Sequence, residues 1–362
     1  MAWSDREWVL NGASVRVSMV GFDGGDLTLE RERSLDGAPA EHINSDLTAK
    51  ADLSKAQILE ENRDISFQGI VLRGPFDMPR EEAKEMLTMS GNPNGNPNAD
   101  VLRPRVNGMD LTRRSRESYA VDFGVDMSLE EAALYEAPFK YVREHVYPMR
   151  QKAKQAVARE KWWLHWNPRP KMRRALSNLS RFLATPTVSK HRLFVWLNKE
   201  TLPDHQLIAF ARDDDYFFGV LHSRVHELWA LRMGTFLGKG NDPRYTPTTC
   251  FETFAFPNPT DEQRSEIADA ARVLDDRRRS WLNPLGSSEA ELKKRTLTNL
   301  YNERPTWLVM AHERLDSAIY AAYGWTEAPG ELAEAEILKR LLALNRVRAN
   351  PNRELEQTEA ES

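Results

Sequence analysis

Between residues 13 and 22 (A-S-V-R-V-S-M-V-G-F) apolar and polar positions alternate almost strictly, the period of a strand with one face against a core. Asp23-Gly24-Gly25-Asp26 then reads as a turn and Leu27-Thr28-Leu29-Glu30 as a return strand, so residues 1–30 are predicted as strands. From 31 to 120 the chain is loop-rich, and the run of turn formers at 90–98 is too long for one tight turn. Residues 79–87 predict a short helix, 101–112 a strand closed by a turn at Asn107-Gly108, and 119–123 another short strand. Ser128, with Glu130 and Glu131 behind it, is an N-cap candidate, and 138–163 has a helical, basic pattern. Strands follow at 181–187, 193–198 and 206–211. Asp213-Asp214-Asp215 reads as a solvated turn before a strand at Tyr216-Phe217-Phe218, then come a helix at 219–234 and an extended aromatic stretch at 243–257.

After Pro259 the pattern changes. Four amphipathic helical periods, 261–282, 289–301, 304–323 and 331–348, are separated by Pro284-Leu285-Gly286, Pro305 and Pro329-Gly330. The expected fold class is mixed α/β: a loop-rich sheet-and-helix region at 26–258, preceded by strands at 1–25 and followed by a helical domain at 259–350. A polar tail occupies 351–362. There is no internal repeat.

Composition narrows the class. No apolar run approaches the ~18 residues of a membrane span, and the first residues lack the basic and apolar segments of a secretory signal. One cysteine, Cys250, excludes an internal disulfide and a Cys-rich zinc site, so a reducing cytoplasm is expected. Charge changes the picture more. The chain has a net charge of -4, yet residues 140–192 hold fourteen Lys or Arg against Glu144 and Glu160, a local +12. An acidic protein with one concentrated basic stretch points to a polyanion-binding face. Within that stretch Trp162, Trp163 and Trp166 alternate with Lys161, His165, Arg169 and Lys171, a mixture that can stack on bases while holding phosphates, although such tryptophans also serve as core. Ser189-Lys190-His191-Arg192 forms a donor-rich tip between strands, where Lys and Arg could pair with guanine O6 and N7.

Catalytic signatures are sparse. The chain has no G-x-x-x-x-G-K-[ST] loop and no G-x-G-x-x-G between a strand and a helix; Gly238-Lys239-Gly240-Asn241 reads as a loop. His222 and His226 are spaced to share a metal on a helix, but Ser223 stands where a zinc protease has its glutamate, and packing is the expected role. No metal site is expected.

Several motifs, in fixed order, carry a resemblance. They are W-V-L-N-G-A-S-V-R-V-S-M-V-G-F (8–22), G-P-F-D-M-P (74–79), N-P-N-G-N-P-N-A-D-V-L-R-P (92–104), V-N-G-M-D (106–110) and A-L-Y-E-A-P-F (133–139). T-P-T-V-S-K-H-R (185–192), F-F-G-V-L-H-S-R-V-H-E-L-W (217–229), R-Y-T-P-T-T-C-F-E-T-F-A-F-P (244–257) and L-T-N-L-Y-N-E-R-P-T-W-L (297–308) complete the series. Over nearly the whole chain these resemble large adenine-specific DNA methyltransferases of the MmeI-like group, in the region downstream of catalysis. The resemblance implies a DNA target-recognition region at 26–258 for adenine-N6 methylation in a restriction-modification system, with residues 1–25 closing the catalytic sheet. It implies double-stranded DNA and an upstream catalytic half as partners. Such enzymes also need a Gly-rich loop for S-adenosylmethionine and an Asn-Pro-Pro-Tyr or Asp-Pro-Pro-Tyr motif that grips the flipped adenine. This sequence contains no Pro-Pro, so the chain is expected to be inactive alone, a truncated or separately encoded specificity part without catalytic residues or cofactor of its own.

On that reading, base readout falls to Lys190, His191, Arg192, Arg244 and Tyr245. Phosphate contacts fall to Arg150, Lys152, Lys154, Lys161, Arg169, Lys171, Arg173 and Arg174. The alternatives are a DNA-binding specificity or interaction subunit without enzymatic activity, and a nuclease with a divalent metal at Asp213–Asp215.

Overall fold

The computed structural model describes residues 1–22, 33–40, 43–44, 47–49, 51–237 and 242–350. The turn and strand expected at 23–30, the loop at 238–241 and the tail from 351 lie outside the described residues. The chain packs as two compact units that interleave in sequence: residues 1–63, 220–267 and 312–362 form one, and 64–219 with 268–311 the other. The expected divisions at 25 and 258 therefore follow chain order and not these packing units.

The first unit opens with strands β1 (Ala2–Leu10) and β2 (Ala13–Val20), an antiparallel hairpin that pairs Arg6 with Val17 and Leu10 with Ala13. Its turn is Asn11-Gly12, with φ of 51° and 81°, a left-handed geometry that Asn-Gly tolerates best. Strands β3 (Arg33–Leu35) and β4 (Ala38–Ala40) complete a sheet in the order β2-β1-β3-β4. Trp8, Val9, Leu10 and Val20 on this hairpin stay exposed. The core of the unit gathers Trp229, Phe251, Phe254, Leu315, Ile319 and Leu341. Buried amides hold its loops. Asn345 donates to Gln57 O and Thr253 O (both 2.7 Å) and accepts from Gln57 N (2.9 Å), while Asn62 donates to Phe251 O and Phe254 O.

The second unit is built on two small sheets. Strands β5 (Ser66–Gln68), β9 (Arg181–Pro186), β10 (Val195–Asn198) and β12 (Leu207–Phe210) form an antiparallel sheet in the order β10-β9-β12-β5. Strands β6 (Asp77–Met78), β7 (Leu102–Val106), β8 (Tyr119–Val121) and β11 (Leu202–Pro203) form the other, in the order β11-β7-β8-β6, with β11 parallel to β7. After β5 the chain passes against residues 203–204. A Cβ on Gly69 would lie 2.2 Å from Asp204 O, so only glycine fits there. The core runs from Ile70, Phe76 and Phe123 to Phe182 and Leu207, each side chain contributing about 1.5–3 kcal/mol by burial.

The strands expected at 181–187, 193–198 and 206–211 are present, as are the helix after Pro79 (Arg80–Thr88) and the Ser128 cap, which makes a capping box with Glu131. Four expectations differ. Asn107-Gly108 is not a hairpin turn: Asn107 Oδ1 accepts from Met109 N and Asp110 N, and Asp110 Oδ2 accepts from Asn107 N, a capping box that starts the helix Gly108–Thr112. The strand expected at 216–218 is helix (Asp215–His222), because Asp214 Oδ1 caps Phe217 N. Ser223 then starts a second helix, Arg224–Met233, where one continuous helix was expected. The pattern at 289–301 likewise breaks into Glu289–Lys294 and Leu297–Glu303 at the Thr296 cap.

Candidate nucleic-acid interface

A cleft of about 430 Å³ opens in the second unit between the helix Gly108–Thr112 and the loop that follows β9. Its floor is fixed by backbone. Thr187 donates from both N and Oγ1 to Gln206 O (2.7 and 3.0 Å), tying the loop to the approach of β12. Ser189 Oγ donates to His191 O (2.6 Å) and curls the tip. Lys190 Nζ and His191 Nε2 both donate to Asn302 Oδ1 (2.6 and 2.9 Å) on the helix Leu297–Glu303, which Thr298 in turn ties to Thr112 O. Two expected readers, Lys190 and His191, thus meet in one cleft.

Arg113, Thr187, Ser189 and Gln206 join them there, and among the described residues no Asp or Glu lines the cleft. The segment carrying Arg113 is tightly held. Arg114 donates to Leu292 O, Asn283 Oδ1 and Leu282 O, and Arg116 clamps Asp110 through Nε and Nη2 (both 3.1 Å). Burial tends to raise the Asp110 carboxyl, but the Arg116 guanidinium and the backbone N–H groups of Asn107 and Arg116 hold it below its ordinary value. Neither Arg113 nor Gln206 was singled out from sequence; the R-R-S-R run at 113–116 was the available signal for the first.

The other expected readers separate. Arg192 is corrected to a structural role: it is buried and donates through Nη1 to Thr185 Oγ1 and Pro186 O, fastening the end of β9. Arg244 and Tyr245 belong to the first unit. Arg244 is exposed, but Tyr245 is 1% exposed with its hydroxyl on His226 Nε2 (3.1 Å), which removes it from readout. His226 uses its other nitrogen on Leu221 O, and no group of three or more potential metal ligands occurs among the described residues. The Asp213–Asp215 turn is spent on capping and on an ion pair of Asp215 with Arg181 (2.8 Å).

The expected phosphate contacts divide similarly. Lys152, Lys154, Lys161, Lys171 and Arg174 are exposed. Arg150 is corrected: it is 2% exposed, donates to Leu72 O and Leu164 O (2.9 and 3.0 Å), and is pushed down to about 10 by burial and then by the Arg73 charge. Arg169 spans Gly69 O and Gln68 Oε1, and Arg173 grips Asp122 with both Nη atoms (2.8 and 2.9 Å). Of the tryptophans, Trp162 is core, packed on Phe139 and Tyr147, and Trp163 donates to Met127 O. Trp166 lies under Arg73.

Beneath the grip on Asp122 sits His165. Its Nε2 donates to Val121 O (2.8 Å) and its Nδ1 lies 3.5 Å from Asp122 Oδ1. Burial pushes His165 down despite the facing carboxylate. Burial alone would raise Asp122, but the facing His165 ring, the Arg173 charge and the Arg173 and Gly124 N–H bonds outweigh it and hold the carboxyl low. A second cleft of about 390 Å³ reaches this group.

No protein-family model matches the chain. Over 165 residues, 44% of this chain and 17% of the relative, it is 26% identical to DNA methyltransferase A of Bacillus subtilis (strain 168). Among solved structures it superposes on the Type IIL restriction-modification enzyme MmeI in complex with DNA, with a TM-score of 0.68 and 19% identity. The fold is MmeI-like. The superposition covers 96% of this chain and 46% of that one, so the chain spans less than half the length of the structure it matches. The mixed α/β class expected from sequence is therefore the class found, and the resemblance read from the ordered motifs is matched by the MmeI-like fold.

A methyltransferase relative implies S-adenosylmethionine in a complete enzyme. The cleft that holds Lys190 does not fit that group: it presents Arg113 and Lys190 and, among the described residues, no carboxylate to face a sulfonium or accept from ribose hydroxyls.

Proposed function

We propose that this chain is the DNA target-recognition part of a site-specific adenine-N6 methyltransferase of the restriction-modification type. The observation that carries the reading is the acid-free cleft, where Lys190 and His191 are held ready by one shared acceptor, Asn302, while exposed cations stand nearby in sequence. A space of about 430 Å³ takes a base edge, not the width of a duplex, so the duplex lies across the mouth and only its groove edges are read. Lys190 is a point donor for guanine O6 or N7, and His191 donates or accepts according to its tautomer. Lys152, Lys154, Lys161, Lys171 and Arg174 contact phosphates and set register without reading sequence.

In this proposal the recognition region, 26–258, supplies every cleft residue except Thr298, and the helical region 259–350 buttresses the tip through Asn302. Residues 1–25 join the sheet of a catalytic part, which binds the methyl donor and grips the target adenine. The work takes place in the cytoplasm.

Affinity selection tests this. A pool of duplexes with a randomised centre is incubated with the chain, and bound DNA is sequenced over successive rounds. Emergence of one short motif is the expected result. Retention without any motif, or no retention at low salt, overturns the reading.

A further inference from the structure

We propose that Arg113 and Gln206 are base readers, Arg113 for a guanine and Gln206 for an adenine, on the walls of the cleft that holds Lys190 and His191; this rests on the target-recognition reading above. Both residues combine a pinned backbone with a free side chain. Arg113 N donates to Met109 O (2.8 Å) at the end of the helix Gly108–Thr112, and Arg114, its neighbour, is locked by three hydrogen bonds. Gln206 N donates to Asp204 Oδ1 (2.9 Å), and its carbonyl takes both bonds from Thr187. Yet the Arg113 guanidinium and the Gln206 carboxamide are exposed and make no hydrogen bond or ion pair among the described residues.

Such a contrast is what selective readout needs. A reader whose Cα is fixed loses little freedom on binding, and free donors need not abandon an internal partner first. The side-chain types then name the bases. A guanidinium presents two parallel N–H groups to guanine O6 and N7, and a carboxamide presents one acceptor and one donor to adenine N6 and N7. Gln206 separates this from a plain phosphate site. A neutral amide adds little to polyanion binding, and it shares the cleft with Arg113 and Lys190, which would suffice for a phosphate.

The same selection is repeated with Arg113→Ala and Gln206→Ala. Each variant should flatten one position, a guanine for the first and an adenine for the second, and weaken the selected duplex about 10- to 100-fold while leaving unrelated duplex unchanged. For the wild-type chain, 7-deazaguanine or 7-deazaadenine at those positions should give a comparable loss, because only N7 is removed. This arm keeps the test sound if a variant fails to fold. An unchanged motif in both variants, equal weakening of selected and unrelated duplex, or indifference to the deaza bases overturns the assignment. If Lys190→Ala alters the motif and these two do not, only this inference falls. If the wild-type chain selects nothing, the recognition reading falls with it.

Discussion

Salt dependence of DNA binding distinguishes the charge that the sequence counts from the charge that the fold leaves available. Of the fourteen basic residues between 140 and 192, six are committed elsewhere: Arg150, Arg159, Arg169, Arg173, Arg181 and Arg192 donate to carbonyls, hydroxyls or carboxylates of the fold. Lys140, Lys171 and Lys190 keep looser exposed partners in Glu144, Asp64 and Asn302. Arg143, Lys152, Lys154, Lys161 and Arg174 have no ion pair or side-chain hydrogen bond among the described residues. The five phosphate contacts proposed above, Lys152, Lys154, Lys161, Lys171 and Arg174, give a slope of log K against log salt of about -4.5, and roughly a 500-fold loss between 50 and 200 mM. Fourteen would give a slope near ~-12.6 and a loss beyond ~10⁷-fold. Fluorescence anisotropy of a labelled duplex at four or five salt concentrations measures the slope directly, and Lys154→Ala should flatten it by about 0.9. A slope steeper than about -10 would show that the committed arginines do reach DNA. A slope shallower than about -2 would remove the electrostatic footprint altogether.

Two further outcomes concern the scaffold. Arg150→Ala strands the buried carbonyls of Leu72 and Leu164 and should cost about 2–4 kcal/mol in urea unfolding; a loss under about 1 kcal/mol would return Arg150 to the surface. Stability should be level above pH ~6.5 and decline below it, since burial keeps His165 neutral in the fold while the unfolded histidine takes up its proton from that pH downward. Asp122, held low, adds a second decline below pH ~4, where the unfolded carboxylate protonates first. Asp122→Asn should cost about 3 kcal/mol at neutral pH by leaving Arg173 without its charge partner, and should shrink the lower step in a plot of Tm against pH, with the remainder carried by other depressed carboxyls such as Asp110. An unchanged acid limb would refute the assignment.

Much of the second unit was legible because its strands obey short-range rules. The alternation and composition at 181–187, 193–198 and 206–211 predict β9, β10 and β12 within a few residues. Side-chain capping was the main source of error. Asn107 and Asp214 each start a helix where neighbouring residues favour a turn or a strand, and one hydrogen bond from a side-chain oxygen outweighs those weak local preferences. The interleaving of the units was invisible, since it rests on pairs such as Asn345 with Gln57 that no local pattern announces. The cleft was half legible. Lys190 and His191 stood out as a donor-rich tip, but Gln206 gains its meaning only from lying on Thr187, nineteen residues away in sequence.

Arg192 shows why charge alone could not complete the picture. It follows Lys190 and His191 directly, yet it turns inward to hold Thr185 and Pro186 while they stay at the cleft. The same use recurs across this loop-rich unit. Arg114 reaches Leu292 O, Arg159 reaches Ala153 O, Arg173 reaches Pro168 O and Arg278 reaches Phe194 O. Loops leave carbonyls that no helix or ladder satisfies, and a guanidinium with five donors can serve several from one position. A rich supply of arginine therefore answers two needs, and the count in sequence overstates the second. Lysine, with a flexible stem and a compact strongly hydrated head, suits the first need poorly and stays outside, as Lys152, Lys154, Lys161 and Lys171 do. In this fold the exposed lysines mark where a polyanion would be held, and an arginine bears on recognition only where, as at Arg113, the scaffold has already been satisfied by its neighbours.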